Sequence, residues 1–290
     1  MCACRGTSGF AHVSCLAEQA KILFAEAEEN NLDNMVKNVR FQRWDNCSLC
    51  KQLYHGVVRC ALGWACWKTY VGRLETDIVR RMAIGGLGNG LAVADHSEDA
   101  LSVQEAELSM ERRLGGRAED ILVVQDSLAI TYSKLGRAEE ALNLYRDVYS
   151  GQLRLNGTGQ KQTLISASNY ANTLIQFQRF EEAKALLRKT TPAARRVLGE
   201  NHELTLKMRL LYAEALYGDS AATLDALREA VTRLEDLERT ARRVLGSAHP
   251  TAIDIMCRLL NAQVALAARE DDGVSSVCEA VDAASLREES

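Results

Sequence analysis

The sequence predicts a mainly α-helical fold in which stacked helical hairpins form an α-solenoid, preceded by a small cysteine-rich segment. One helix–turn–helix pattern recurs along most of the chain. Hydrophobic residues reach 47% with only 2 prolines and 6% aromatics, which favours helices over a sandwich or barrel. Seven of the nine cysteines precede residue 67. The repeating pattern is clearest at residues 128–142. Leu128 and the small Ala129 lead to Tyr132, Gly136 breaks the helix, and Arg137-Ala-Glu-Glu-Ala-Leu opens a second one. Ala129, Ala171 and Ala213 stand 42 residues apart, and residues 87–101 show the pattern 41 residues earlier. A fixed period of this size belongs to stacked hairpins, none of which can bury its apolar face alone.

Residues 1–52 are expected to form a small zinc-binding finger. Cys2 and Cys4 are followed by His12, by Cys15 and, later, by Cys47-Ser-Leu-Cys50. Thiolate and imidazole donors at such spacings can converge on a tetrahedral zinc, and a C-x-x-C turn grips one ion with two thiolates. Ordinary intracellular thiols are the alternative. The order C-x-C, seven residues, H-x-x-C, then C-x-x-C, with Leu16 directly after Cys15, resembles the RING-CH (variant RING) zinc finger of ubiquitin ligases. That resemblance implies a cross-brace in which Cys2, Cys4, Cys47 and Cys50 make a complete zinc site. It makes His12 and Cys15 half of another. It implies one zinc here, two in a full-length finger, and a ubiquitin-conjugating enzyme as a partner. The family's first C-x-x-C and its Trp after the His-x-x-Cys have no counterpart, and 31 residues separate Cys15 from Cys47, more than is usual. The chain is therefore expected to be an N-terminally shortened form. Cys60, Cys66, Cys257 and Cys278 fall outside the pattern and are read as core or interface, because a cysteine packs as a small hydrophobe.

Within this segment Leu16, Ala20, Leu23 and Ala27 mark one face of a helix that Asn30-Asn31 ends. Glu26, Glu28 and Glu29 read as a solvated face, and Trp44 is expected to pack on the finger. Residues 53–76 form a join, with a helix expected over 57–70. Its Tyr54, Trp64, Trp67 and Tyr70 are expected to weld finger to repeats; an exposed binding patch is the alternative. His55 has no spaced partner and reads as structural. The glycine-rich residues 85–90 follow no strand and fit neither the dinucleotide nor the P-loop pattern. Gly88 instead stands where Ala129 and Ala171 stand, so that two helices can approach closely. Glycines in a helix still cost roughly 1 kcal/mol each against alanine, so the first hairpin is expected to be the softest.

Hairpins are expected over residues 77–115, 118–156, 162–199 and 202–246, with a fifth start at Ala248-His-Pro-Thr; residues 77–270 thus hold about four and a half repeats. The closing leucines, Leu114, Leu155, Leu198 and Leu245, are spaced 41, 43 and 47 apart, which predicts an insertion in the fourth hairpin. Arginines in the last turns followed by glycine are helix stops that also face the negative end of the dipole. Residues 271–290 are expected to form a tail or capping helix. The Leu-Gly-Arg-x-Glu-Glu-Ala of residues 135–141, the Arg-Phe-Glu-Glu-Ala of 179–183, the Arg-Val-Leu-Gly ends and the His249-Pro-Thr start resemble tetratricopeptide repeats of the kinesin-light-chain type. The resemblance implies an α-solenoid, wound as a right-handed superhelix, whose first helices line a concave groove for a peptide or another protein. Asn169, Asn172, Gln176, Lys207 and Arg209 are the polar positions expected there.

No catalytic residue is expected. His96, His202 and His249 are scattered over different hairpins, and nothing assembles a nucleophile with a base; His202 and His249, at hairpin starts, read as caps. A net charge of −4 leaves no region basic enough for nucleic acid as the main partner. No uninterrupted apolar run reaches the roughly 18 residues of a membrane span. The N-terminus lacks a secretory pattern, so an intracellular, cytoplasmic protein is expected. The expected function is a protein-interaction scaffold carrying a zinc-binding finger. The alternative is a RING-type ubiquitin ligase whose repeats recruit substrate. A kinesin-type cargo adaptor ranks last, for want of a heptad coiled coil.

Overall fold

Among the described residues, 12–288, the computed structural model contains twelve α-helices, a 3-10 turn and one isolated strand bridge; side chains are described for residues 12–270. Residues 1–144 and 145–290 form two structural units.

The first unit opens with α1 (Val13–Glu29), α2 (Asn34–Phe41), the 3-10 turn Gln42–Trp44 and α3 (Gly56–Tyr70). Helix α1 stops where expected: the Asn30 side-chain amide donates to the Glu26 carbonyl at 2.7 Å, and Asn31 takes φ 49°. Asp33 caps α2 by accepting from the Val36 N–H at 2.9 Å. These elements meet in an aromatic core. Tyr70 receives Phe24 and Trp44 edge-on, at centroid distances of 5.8 and 6.1 Å, and Cys66, Val79 and Ala83 close the cluster. Trp44 thus packs on Tyr70 rather than on the cysteine turn. Tyr54 is buried in a separate cluster with Cys47 and Leu62, and Trp64 is 43% exposed, so only part of the expected aromatic weld forms. An ion-pair chain reinforces it: Arg73 donates to Glu28 at 2.8 Å and to Asp77 at 3.3 Å.

Helices α4 (Ile78–Val93), α5 (Ser97–Arg113) and α6 (Ala118–Lys134) follow, and α7 (Ala138–Asn156) begins within this unit. The glycines of α4 are contact points. A Cβ on Gly90 would stand 3.0 Å from the Arg59 carbonyl oxygen of α3, and one on Gly88 3.0 Å from Gln104 of α5. Gly63 of α3 meets Gly86 in the same way, at 2.9 Å. Helix α4 is therefore sandwiched, α3 on one side and α5 on the other. Lys134 then ties α6 back to the end of α4, donating to the Ala92 carbonyl at 2.6 Å and to Asp95 at 3.0 Å.

The second unit holds the rest of α7, then α8 (Lys161–Gln176), α9 (Phe180–Leu198), α10 (Glu203–Tyr217), α11 (Leu224–Leu245) and α12 (Pro250–Glu288). From α8 on, successive helices pack side by side, and α10 also touches α8 and α12. Leu206, Leu210, Ala213, Leu234, Leu237 and Ile255 form a core cluster among α10, α11 and α12. The insertion in the fourth hairpin is shared: α11 reaches 22 residues against 19 in α9, and the loop before it spans residues 218–223. Gly199 and Gly246 end their helices at φ 95° and 89° with extended ψ, a region open almost only to glycine. The two hairpin-start histidines are caps. His202 Nδ1 accepts from the Leu204 N–H at 3.1 Å and His249 Nδ1 from the Thr251 N–H at 3.2 Å.

Helix α12 continues unbroken to Glu288, so the expected boundary at residue 271 is not a break in the helix. By length and composition alone its 250–270 stretch could cross a membrane. It packs on α10 and α11 through Ala252, Ile255 and Ala262, and Arg258 pairs with Glu214. Cys257, expected in a core or interface, is exposed on this helix, because Ile255 and Ala262 take the packed face.

Candidate functional site

Two places carry the residues singled out in the sequence. The first is the Cys47–Cys50 turn. Asn46 and Leu53 bridge across it, the Cys47 N–H donates to the Gln52 carbonyl at 2.9 Å, and the Lys51 N–H donates to the Cys47 carbonyl at 3.0 Å. Lys51 takes φ 61° to close the loop. The two cysteines are thus held on one tight turn, Cys47 buried and Cys50 partly so. Val13, Leu16 and Ala17 pack against the same cluster, which brings the start of α1 beside the turn. His12 precedes α1 without capping it through its side chain, and Cys15 is exposed. Cys2 and Cys4 lie outside the described residues, as does the side chain of Cys278. Among the described residues, no group of three or more His, Cys, Asp or Glu is arranged to hold a metal ion.

The acids and thiols around this turn are set by burial. Burial raises the Asp45 carboxyl, against the Arg59 guanidinium 3.6 Å away, which lowers it. Burial pushes the Cys66 thiol far up, with Asp45 adding to the effect, and raises Cys60. A thiol held in its neutral form is a poor nucleophile, so Cys66 belongs to the aromatic core.

The second place is the repeat surface. Asn169, Asn172 and Gln176 lie along α8 at spacings of three and four, on one side of the helix, and Gln176 is exposed. Lys207 on α10 is exposed and stands 42 residues after Ile165, which is one turn before Asn169 on that side. These four share a register. Arg209 does not belong with them. Two residues past Lys207, it is turned about 200° round α10 at 100° per residue. It enters a groove of about 340 Å³ flanked by α9 and α11. Tyr212, Arg188, Arg195 and Arg233 line the same groove and were not among the expected site residues. Their signal was legible: Arg188 and Arg195 are seven apart on α9, hence on one face. The dipole at the end of the helix accounts for an arginine at position 195 but not for one at 188.

Comparison with known proteins agrees with this architecture. Residues 122–160 and 163–203 match the family model of the tetratricopeptide repeat. Among solved structures the chain is similar to the nearly identical TPR-like repeats of a protein described as a kinesin light chain from Podosopora anserina. The likeness, at 18% identity, covers 81% of this chain and 98% of that one with a TM-score of 0.52, and a point variant of the same protein gives 0.54. BtubC (BKLC) from P. vanneervenii is 12% identical over 92% of this chain and 93% of its own, with a TM-score of 0.48. No curated protein matches the chain. The fold is thus a mainly helical solenoid of tetratricopeptide-like hairpins. The matched segments cover the second and third hairpins. The first carries the glycines of α4, and the fourth carries the insertion around α11.

Proposed function

We propose that this chain is an intracellular, cytoplasmic protein-interaction scaffold whose helical hairpins hold a protein or peptide partner. The observation that carries the reading is the polar register on the first helices of neighbouring hairpins: Asn169, Asn172 and Gln176 on α8, with Lys207 on α10. Side-chain amides placed a turn apart hydrogen-bond a peptide backbone irrespective of its sequence, and the lysine favours an acidic group beside it. A photo-crosslinking residue at position 172 or 207 is expected to trap a partner protein, and one at Asp225, on the second helix of its hairpin, is not. Asn172→Arg should abolish the crosslink formed from position 207. Equal labelling from all three positions would refute the assignment.

A second reading concerns the N-terminal segment. We infer that Cys47 and Cys50, with Cys2 and Cys4, hold one structural zinc, leaving His12 and Cys15 as half of a further site. The preformed turn and the start of α1 packed beside it support this, since two thiolates on one turn suit the ion. Such a finger could dock a ubiquitin-conjugating enzyme while the repeats recruit substrate, with no catalytic nucleophile of its own. Zinc content of the purified chain tests the metal: about one ion per chain, lost in Cys47→Ser/Cys50→Ser, is expected. Autoubiquitination with a panel of conjugating enzymes tests the ligase reading. A zinc-loaded chain inert with all of them remains a scaffold.

A further inference from the structure

The groove that Arg209 enters belongs to a different side of the second unit from the Asn172–Lys207 register. Arg188 and Arg195 come from α9, Arg209 and Tyr212 from α10, and Arg233 and Asp236 from α11. A second recess of about 400 Å³ shares Arg209 and Asp236 and adds Glu200, Arg239 and Arg243. Together the two recesses present six arginines and two carboxylates, in a chain whose net charge is −4.

The internal acids do not neutralise this lining. Glu200 serves two arginines at once, Arg195 at 3.0 Å and Arg209 at 2.7 Å. Asp236 is taken by Arg239, and Arg233 pairs with Glu229 at 2.7 Å. Arg188 donates its Nε to the Tyr212 hydroxyl at 3.1 Å, and among the described residues no carboxylate lies within ion-pair distance of it. Burial lowers the Arg209 pKa; Glu200 and Asp236 oppose this, and repulsion from Arg195 and Arg233 adds to it. Concentrated, partly desolvated positive charge of this kind attracts an anion and strengthens its hydrogen bonds.

Geometry selects the anion. Arg188 and Arg195 are about 10 Å apart along α9, and Arg233 and Arg243 about 15 Å along α11, at 1.5 Å per residue. That is the reach of three to five extended residues at about 3.3 Å each. A single phosphate would engage only one end. Single-stranded nucleic acid binds through aromatic faces, but the Tyr212 ring is already covered by Arg188 and Arg233, whose guanidinium carbons lie 5.7 and 5.1 Å from its centroid. Guanidinium forks match carboxylates two bonds at a time, and the exposed Pro192 supplies apolar lining for one aliphatic side chain.

We propose that the groove between α9 and α11 binds an extended acidic segment of a partner protein, with at least two carboxylates seated on Arg188, Arg209 and Arg233. It is a separate surface from the α8–α10 register and does not rest on that reading.

The test is fluorescence anisotropy with a labelled nonapeptide carrying Glu at alternate positions around a central Leu, and with its Gln counterpart. The Glu peptide is expected to bind at least about tenfold tighter than the Gln peptide, an advantage that shrinks as salt rises. Arg188→Glu/Arg233→Glu should weaken it by about tenfold or more, the scale of lost charge-assisted contacts. Lys68→Glu, at an exposed position on α3 outside both surfaces, should leave it unchanged. Should the double variant fail to unfold cooperatively, Arg239→Glu and Arg243→Glu, on more open positions, replace it with the same expectation. Four results would each overturn the proposal: no binding of the Glu peptide, equal binding of the Gln peptide, indifference to charge reversal, or tighter binding of an oligothymidine or of inorganic tripolyphosphate than of the peptide.

Discussion

The Oε1 atom of Glu107 stands 2.8 Å from where a Cβ on Gly85 would lie, so the carboxyl of α5 fills the space left by the missing side chain of α4. The carboxyl is buried, and one turn on, Glu111 is held in a two-pronged ion pair by Arg81, whose Nε donates to it at 2.6 Å. Burial raises the Glu107 pKa to about 8, with the Glu111 charge adding to the effect. The sign follows from the proton count. Between the unfolded value of 4.5 and about 8, the folded chain keeps a proton that the unfolded chain gives up. Stability contributed at this site is therefore greatest at low pH, falls as pH rises through that window, and is flat above it. Glu107→Gln should remove the slope and stabilise the protein at pH 8 by a few kcal/mol, since each unit is worth about 1.4 kcal/mol. Urea unfolding of both proteins from pH 5 to 9 checks this; parallel curves would show that Glu107 does not carry the dependence.

Two glycines separate packing from propensity. A Cβ at Gly63 would meet the Gly86 carbonyl oxygen at 2.9 Å and the Leu87 Cα at 3.1 Å, both backbone atoms that cannot swing away. Gly63→Ala should push α3 off α4 and destabilise by about 1–3 kcal/mol, as overpacking does. Gly86 itself faces open space within α4. Gly86→Ala should stabilise by up to about 1 kcal/mol through helix propensity. Opposite shifts in the urea midpoint are expected.

Much of this arrangement could be read from the sequence. The 42-residue period set the hairpin limits, because Asp77, Gly115, Gly199 and Gly246 cap or end their helices through local chemistry that depends on no distant partner. The histidine caps and the extra length in the fourth hairpin were legible for the same reason. What escaped depends on pairs outside the period. Gly63 meets Gly86 only because α3, which belongs to no repeat, docks on the first hairpin. Arg209 resembles Lys207 in sequence because both are polar and two residues apart on one first helix; its place depends on α9 and α11, which flank it. The expected metal ligands divide likewise. The Cys47–Cys50 turn is a local structure and is present, whereas convergence with Cys2 and Cys4 needs residues beyond those described.

The histidine caps give a local test. His202 and His249 each accept from a backbone N–H two residues on, so replacement by alanine leaves that donor without its partner. His202→Ala should cost about 0.5–2 kcal/mol, the usual range for a lost N-cap, and His202→Asn should restore most of it. The readout is the unfolding midpoint. A destabilised asparagine variant would mean that His202 acts through packing rather than as a cap.

Cysteine reactivity distinguishes the core from the surface and also probes the metal reading. Cys257 is exposed on α12, whereas Cys66 is 2% exposed among Phe24, Trp44 and Tyr70 with its thiol held neutral by burial. Reaction requires the thiolate and access to it. With a disulfide reagent under native conditions, Cys257 should be modified rapidly and Cys66 only at the rate of unfolding. A thiolate bound to zinc is shielded from the same reagent, so Cys50, partly exposed in its turn, should react slowly in zinc-loaded protein and quickly after a chelator is added. Mass mapping of labelled peptides at successive times would read all three sites in one experiment. Identical Cys50 rates with and without chelator would refute zinc at the turn while leaving the contrast between Cys257 and Cys66 intact.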